Sequence, residues 1–163
     1  MKVCSHQPSL FPWIGYWHKV DAADLLIMSC GVKMDYAGYQ NRVELQGSWL
    51  TVPVPKGSKH VLLKDVRFDR AALPKIAHRI LQGLAGKRWP GREQVHAIVA
   101  RGLSCESDFL VDLNIAGFQA VRDVLGITTP FVVDDVVPPE DAGKTDRLVE
   151  RIKRHVPDDA VYL

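Results

Sequence analysis

The chain has 163 residues, 47% hydrophobic and 25% charged, with a formal net charge of +2: room for one ordinary core and too little for two independent ones. No apolar run approaches the roughly 18–20 residues that span a bilayer, and the N-terminus lacks the basic, apolar and small-residue succession of a signal peptide. Cys4, Cys30 and Cys105 are too few and too scattered for a disulfide framework or a thiolate zinc site, so a cytoplasmic protein with one domain over residues 1–163 is expected.

Residues 2–5 read as a strand, 13–22 as a helix and 24–29 as a second strand, a β-α-β unit with a parallel pair. The first strand runs into His6-Gln7-Pro8-Ser9-Leu10-Phe11-Pro12-Trp13-Ile14-Gly15-Tyr16. A polar turn at a strand's carboxyl end is where open α/β sheets put their ligand chemistry, and Pro8 and Pro12 restrict the turn to few conformations. His6 there could act as general base or phosphate contact, with Gln7 orienting the same ligand and Tyr16 touching it. The competing reading makes His6 a hydrogen-bonded turn residue and Trp13, Tyr16, Trp17 and Val20 ordinary core at helical spacing. Cys4, two residues before His6 on the same strand face, raises a Cys/His nucleophile as a minor option.

The pattern then changes. Residues 32–34, 42–46, 49–55 and 61–68 are short extended segments separated by turn signals, which predicts a hairpin or meander. Pro53 and Pro55 cannot donate ladder hydrogen bonds, so that strand belongs at an edge or breaks there. Asn41-Arg42 follows Tyr36 and Tyr39 in a glycine-containing loop; the arginine fork suits carboxylate or phosphate and Tyr36 or Tyr39 can stack on a base or sugar. Asn41 and Arg42 thus form a candidate substrate clamp with Tyr39 and Trp49 as further substrate contacts, against a plain surface hairpin with one structural salt bridge. Lys56-Gly57-Ser58-Lys59-His60 is a basic turn whose Lys56 and Lys59 are candidate phosphate contacts, although the spacing is not that of a P-loop.

The second half is mainly helical. Leu73, Ile76, Ala77, Ile80, Leu81 and Leu84 mark one helix face, residues 92–101 a shorter helix, and 106–125 a third ended by Gly126. Residues 127–133 read as a buried strand, 138–143 as a loop and 144–155 as a closing helix. Residues 56–101 carry eleven Lys and Arg against three carboxylates, a balance of +8 that fits a phosphate-bearing partner or, more plainly, charges paired with the acidic remainder. Lys87, Arg88, Trp89 and Arg92 combine charge with a stacking face and are the candidate nucleic-acid contacts. Lys144, Thr145 and Arg147, opening the last helix, form a candidate anion site. The histidines beyond His6 lack metal-ligand spacing, so no metal site is expected, and nothing in the sequence names a cofactor or an oligomeric state. The fold class is α/β: a small mixed sheet started by the β-α-β unit, a hairpin or meander, and a mainly helical C-terminal half.

His6-Gln7-Pro8, Pro12-Trp13, Gly15-Tyr16, Ala23-Asp24, Asn41-Arg42, Trp49-Leu50-Thr51-Val52-Pro53-Val54, Leu125-Gly126-Ile127, Lys144-Thr145 with Arg147, and Tyr162-Leu163 together resemble the WbqC-like family. The resemblance implies a protein associated with surface-polysaccharide (O-antigen) gene clusters, where modification of an activated amino sugar is the usual assignment. This chain departs from the family in having Cys30-Gly31-Val32-Lys33 where members tend to carry an acidic pair followed by Val-Gln. The expected function is thus a transferase-type enzyme acting on a nucleotide-linked amino sugar. Modification of nucleic acid (a DNA base) and a non-catalytic nucleotide or nucleic-acid binding module are the alternatives.

Overall fold

The structure, a computed structural model, describes residues 1–35, 37–83 and 90–163. Four strands, β1 (Lys2–His6), β2 (Leu25–Ser29), β5 (Phe131–Asp134) and β6 (Val161–Tyr162), form one parallel sheet in the order β5-β2-β1-β6. The central position of β2 follows from its sequence, Leu-Leu-Ile-Met-Ser, in which every residue is buried. Strands covered on both faces lose the polar alternation of half-exposed ones. Helix α1 (Ile14–Asp21) connects β1 to β2, and β3 (Arg42–Leu45) and β4 (Ser48–Thr51) make a separate antiparallel hairpin. Gln46 and Gly47 turn that hairpin with φ of 52° and 75°. Helices α2 (Leu73–Gly83), α3 (Arg92–Gly102), α4 (Leu110–Leu125) and α5 (Lys144–Lys153) occupy the second half, so the expected α/β class holds. Among the described residues no helix is long and apolar enough to cross a membrane.

The two sheet faces are covered differently. On one, α1 and α4 pack through Trp17 and Phe118, stacked at 4.9 Å, with Phe131 edge-on to Phe118 at 5.4 Å. On the other, Val3, Leu25 and Ile27 meet Ile152 and Val156 in and behind α5. Phe11 holds a left-handed φ of 47°, costly for a bulky residue, and its ring fills the slot where α3 and α4 pass at Gly102 and Gly117. A Cβ at Gly102 would stand 3.0 Å from Gly117 Cα, so the slot depends on both glycines.

Several sequence expectations need correction. Residues 61–68 are not a strand. Leu63–Asp65 is a 3₁₀ turn whose neighbours make single bridges, Lys33 with Leu62 and Arg67 with Phe109, because Leu63 and Lys64 donate to Val32 and Cys30 across the sheet's end. The helix expected from 106 starts at Leu110, since Ser107 Oγ accepts from Phe109 N and donates to Asp112 in a local turn. The strand expected over 127–133 begins at Phe131. Pro130 has no N–H to donate, and Thr129 turns inward to bond the Val20 and Ala23 carbonyls at the end of α1. The short β6 was not legible as a strand. Its backbone closes the β1 edge through Val161 N to Met1 O and Leu163 N to Val3 O.

Candidate functional site

The carboxyl ends of β1 and β2, the loop after β1, residues 32–35 and 38–40, and α5 enclose a cleft of about 380 Å³. Its lining includes Ser5, His6, Gln7, Trp13, Tyr16, Ser29, Tyr39, Gln40 and Arg151. His6 is half-buried with its ring 4.9 Å from that of Tyr16, and among the described residues neither ring nitrogen has a hydrogen-bond partner. It therefore does not serve as a turn cap. Burial, assisted by the nearby Lys19 charge, holds its pKa below the ordinary histidine value, so the neutral imidazole is favoured.

Two loops form the walls, and one buried side chain ties them. Asn114, fully enclosed on α4, donates through Nδ2 to the carbonyls of Pro8 at 3.1 Å and Gln40 at 2.8 Å. Leu10 N donates to Tyr39 O, and Gln40 Nε2 donates to Gln7 Oε1. Replacing Asn114 with alanine should leave both carbonyls without a donor and cost about 1–3 kcal/mol, read as a lower denaturation midpoint. An unchanged midpoint would mean that the loops do not rely on it.

The cleft concentrates uncommitted polar atoms. Tyr16 Oη, Gln40 Oε1 and Arg151 Nε are all buried with no hydrogen-bond partner among the described residues. Arg151 is the most telling, an arginine only 7% exposed with no ion pair among the described residues. Burial lowers its pKa, and the Asp134 charge opposes that shift. The Asp134 carboxylate is itself occupied, accepting from Arg154 at 2.8 Å and contacting His155 Nε2 at 2.9 Å. Buried charges without partners are rare because desolvation is expensive, so an arginine held this way points to an anion that arrives with the ligand.

The other expected site residues fall in distinct places. Asn41 is buried and donates to Val52 O, while Arg42 donates to the Gly38 and Ala37 carbonyls and lies 4.2 Å over the Trp49 ring. Trp49 in turn sits 5.7 Å from Tyr39. Asn41, Arg42 and Trp49 do not line the cleft, but they brace the loop that presents Tyr39 and Gln40. Lys56 and Lys59 are exposed on a turn that Ser58 closes by donating to Pro55 O. Lys144 and Thr145 are exposed at the start of α5, whose N-cap is Gly143. Arg147 is part-buried and donates to Glu140 O. Arg92 is exposed at the first position of α3, whereas Tyr36, Lys87, Arg88 and Trp89 lie outside the described residues. Within the basic segment, Arg67 and Arg70 pair with Asp108 and Arg101 with Asp123.

Cys4 is fully buried, and burial, only partly offset by Lys19, pushes its thiol up, which argues against the Cys/His nucleophile. Cys30 is likewise enclosed, its thiol pushed up to about 12 by burial and nearby carboxylates. A Cβ on Gly31 would stand 2.1 Å from the Val136 carbonyl oxygen, so the backbone here leaves no room for an acidic side chain. Among the described residues no cluster of His, Cys, Asp and Glu could hold a metal ion.

The sequence profile of the WbqC-like protein family matches residues 7–161. The chain belongs to the WbqC-like family. The matched span begins directly after His6 and includes every other cleft residue named above except Ser5. No curated protein and no solved structure matches the chain.

Gln40 and Arg151 are cleft residues that the sequence did not single out, and Trp13 is one that it read as core. Trp13 is 60% exposed and not core, its indole lying over Gly15, where a Cβ would clash with the ring. Its neighbours His6 and Gln7 were the available signal. For Arg151 the signal was its place four residues after Arg147 on the face that carries Leu148, where an arginine breaks an otherwise apolar stripe.

Proposed function

We propose that this WbqC-like chain, acting as one cytoplasmic domain over residues 1–163, is a transferase-type enzyme that modifies an activated, phosphate-bearing substrate. The nucleotide-linked amino sugars of surface-polysaccharide assembly are the substrates that the family resemblance implies. The observation that carries the reading is the Arg151 guanidinium, unpaired among the described residues, in the same cleft as a neutral His6 that has no hydrogen-bond partner among them. In this scheme Arg151 takes a phosphate, and His6 is placed to accept a proton from an amine or hydroxyl of the bound substrate. Gln7 and Gln40 orient polar groups of the ligand, while Trp13 and Tyr39 offer aromatic faces to a sugar or base. Asn41, Arg42 and Trp49 support the Tyr39 wall.

Titration with a panel of nucleotide-linked amino sugars tests this directly. Saturable binding by the wild-type protein is expected, with Arg151→Met weakening it by about 10- to 100-fold while the melting temperature stays level or rises. Equal affinity in the variant would remove Arg151 from the site. The nucleic-acid alternative rests on the basic segment and predicts oligonucleotide binding that weakens with a logarithmic slope of about 0.7–0.9 per phosphate as salt rises. Several of that segment's arginines are already paired with aspartates, which favours the small-molecule reading.

A further inference from the structure

A second cleft of about 370 Å³ adjoins the first, lined by Gly31, Val32, Lys33, Leu62, Val137, Pro138, Glu140 and Arg147. Val32 borders both clefts, and α5 serves both, giving Arg151 and Leu148 to the first and Arg147 to the second. Arg147 and Arg151 are four residues apart, so they project from one helix face about 5–6 Å from each other at Cβ. Each has a buried Nε with no hydrogen-bond partner among the described residues. Arg147 is steadied at its other end by donating to Glu140 O, and Lys33 is exposed at the same rim. A part-committed guanidinium (Arg147) and an uncommitted one (Arg151) at one helical turn's separation, in touching clefts, match the spacing of two linked phosphates better than that of a single anion. The Glu140 carboxylate, on an exposed residue of the second cleft, is free to turn toward solvent when an anion enters.

We infer that the two clefts form one bipartite site for a diphosphate group, Arg151 holding one phosphate and Arg147 with Lys33 the other. The inference rests on the phosphate-bearing substrate proposed above and narrows it to the diphosphate-linked class. A nucleoside or sugar on one end of the diphosphate would then occupy the Trp13 and Tyr39 side of the first cleft.

Calorimetric titration with inorganic pyrophosphate and with orthophosphate at constant ionic strength tests it. The wild-type protein should bind pyrophosphate at least about tenfold more tightly than orthophosphate. Arg147→Gln should bring pyrophosphate down to the orthophosphate level and leave orthophosphate unchanged, whereas Arg151→Gln should weaken both. Because Lys33 is exposed, Lys33→Ala tests the second cleft without threatening the fold, and it should weaken pyrophosphate alone. Equal binding of the two anions by the wild-type protein, or pyrophosphate affinity untouched in both Arg147→Gln and Lys33→Ala, would overturn the bipartite site. If Arg151-dependent binding of a phosphorylated sugar survived that result, the proposed function would stand without the diphosphate. Loss of all phosphate binding would end both.

Discussion

Replacing His6 with alanine is expected to lower turnover by on the order of 10²–10⁴ while leaving the melting temperature close to that of the wild-type protein. The ring makes no hydrogen bond among the described residues and packs on Tyr16 at the cleft wall, so its removal breaks no hydrogen bond there. Because burial lowers its pKa, the neutral base persists to pH values below the ordinary histidine range. The acid limb of the rate profile should accordingly fall below about 6.5, the unperturbed value. A limb at or above that pH, or a variant that melts early and keeps its turnover, would assign His6 a structural role and take the proposed mechanism with it.

Asp134→Asn should strongly destabilise the fold. The carboxylate side chain is fully buried and holds Arg154, His155 and the Val136 N–H, which fastens the end of α5 to the end of β5. Removing one partner of a buried pair costs about 3–5 kcal/mol, and because Arg154 is 31% exposed the lower end of that range is expected. The same group sets the acid behaviour. Burial alone would raise its pKa, but the His155 and Arg154 hydrogen bonds outweigh that and hold it below the usual carboxylate value. Its stabilising contribution is complete above the unfolded-state value near 3.9 and is lost as pH falls through the folded value. His6 acts in the same direction at higher pH. With its folded pKa depressed, the unfolded chain binds the extra proton more readily below about 6.5. Chemical denaturation between pH 3 and 7 should therefore show stability falling with acid, and Asp134→Asn should flatten the lower part of that curve. A variant as stable as the wild-type protein would mean that α5 docks through Ile152 and Val156 alone.

The β-α-β unit, the hairpin, the helices and the strand-end location of His6 were legible because each has a local signal: apolar period, turn glycine, or proline. Residues 61–68 misled because Leu63, Val66 and Phe68 face inward without strict alternation, and their backbone bonds go to residues far away in sequence. The cleft was half legible. His6, Gln7, Tyr16 and Tyr39 were found from a motif and a loop, whereas Arg151 and Asn114 act through tertiary neighbours that no local spacing encodes. Arg42 shows the reverse case, an arginine fork suited to an anion that here is engaged by two backbone carbonyls and an indole ring.

The cleft takes His6 from the first strand and Arg151 from α5, Asn114 of α4 ties its two wall loops, and β6 locks onto the edge of β1 only after all of these. During vectorial synthesis the His6 loop is thus made on the order of ten seconds before the residues that hold it and complete its charge. A nascent chain carries the opening motif without a ligand site until α5 has cleared the ribosome. A polypeptide stopped before Arg151 should compact around α1 and α4 yet bind no anion in this cleft, and ligand present in the cell can stabilise only a chain that already contains α5.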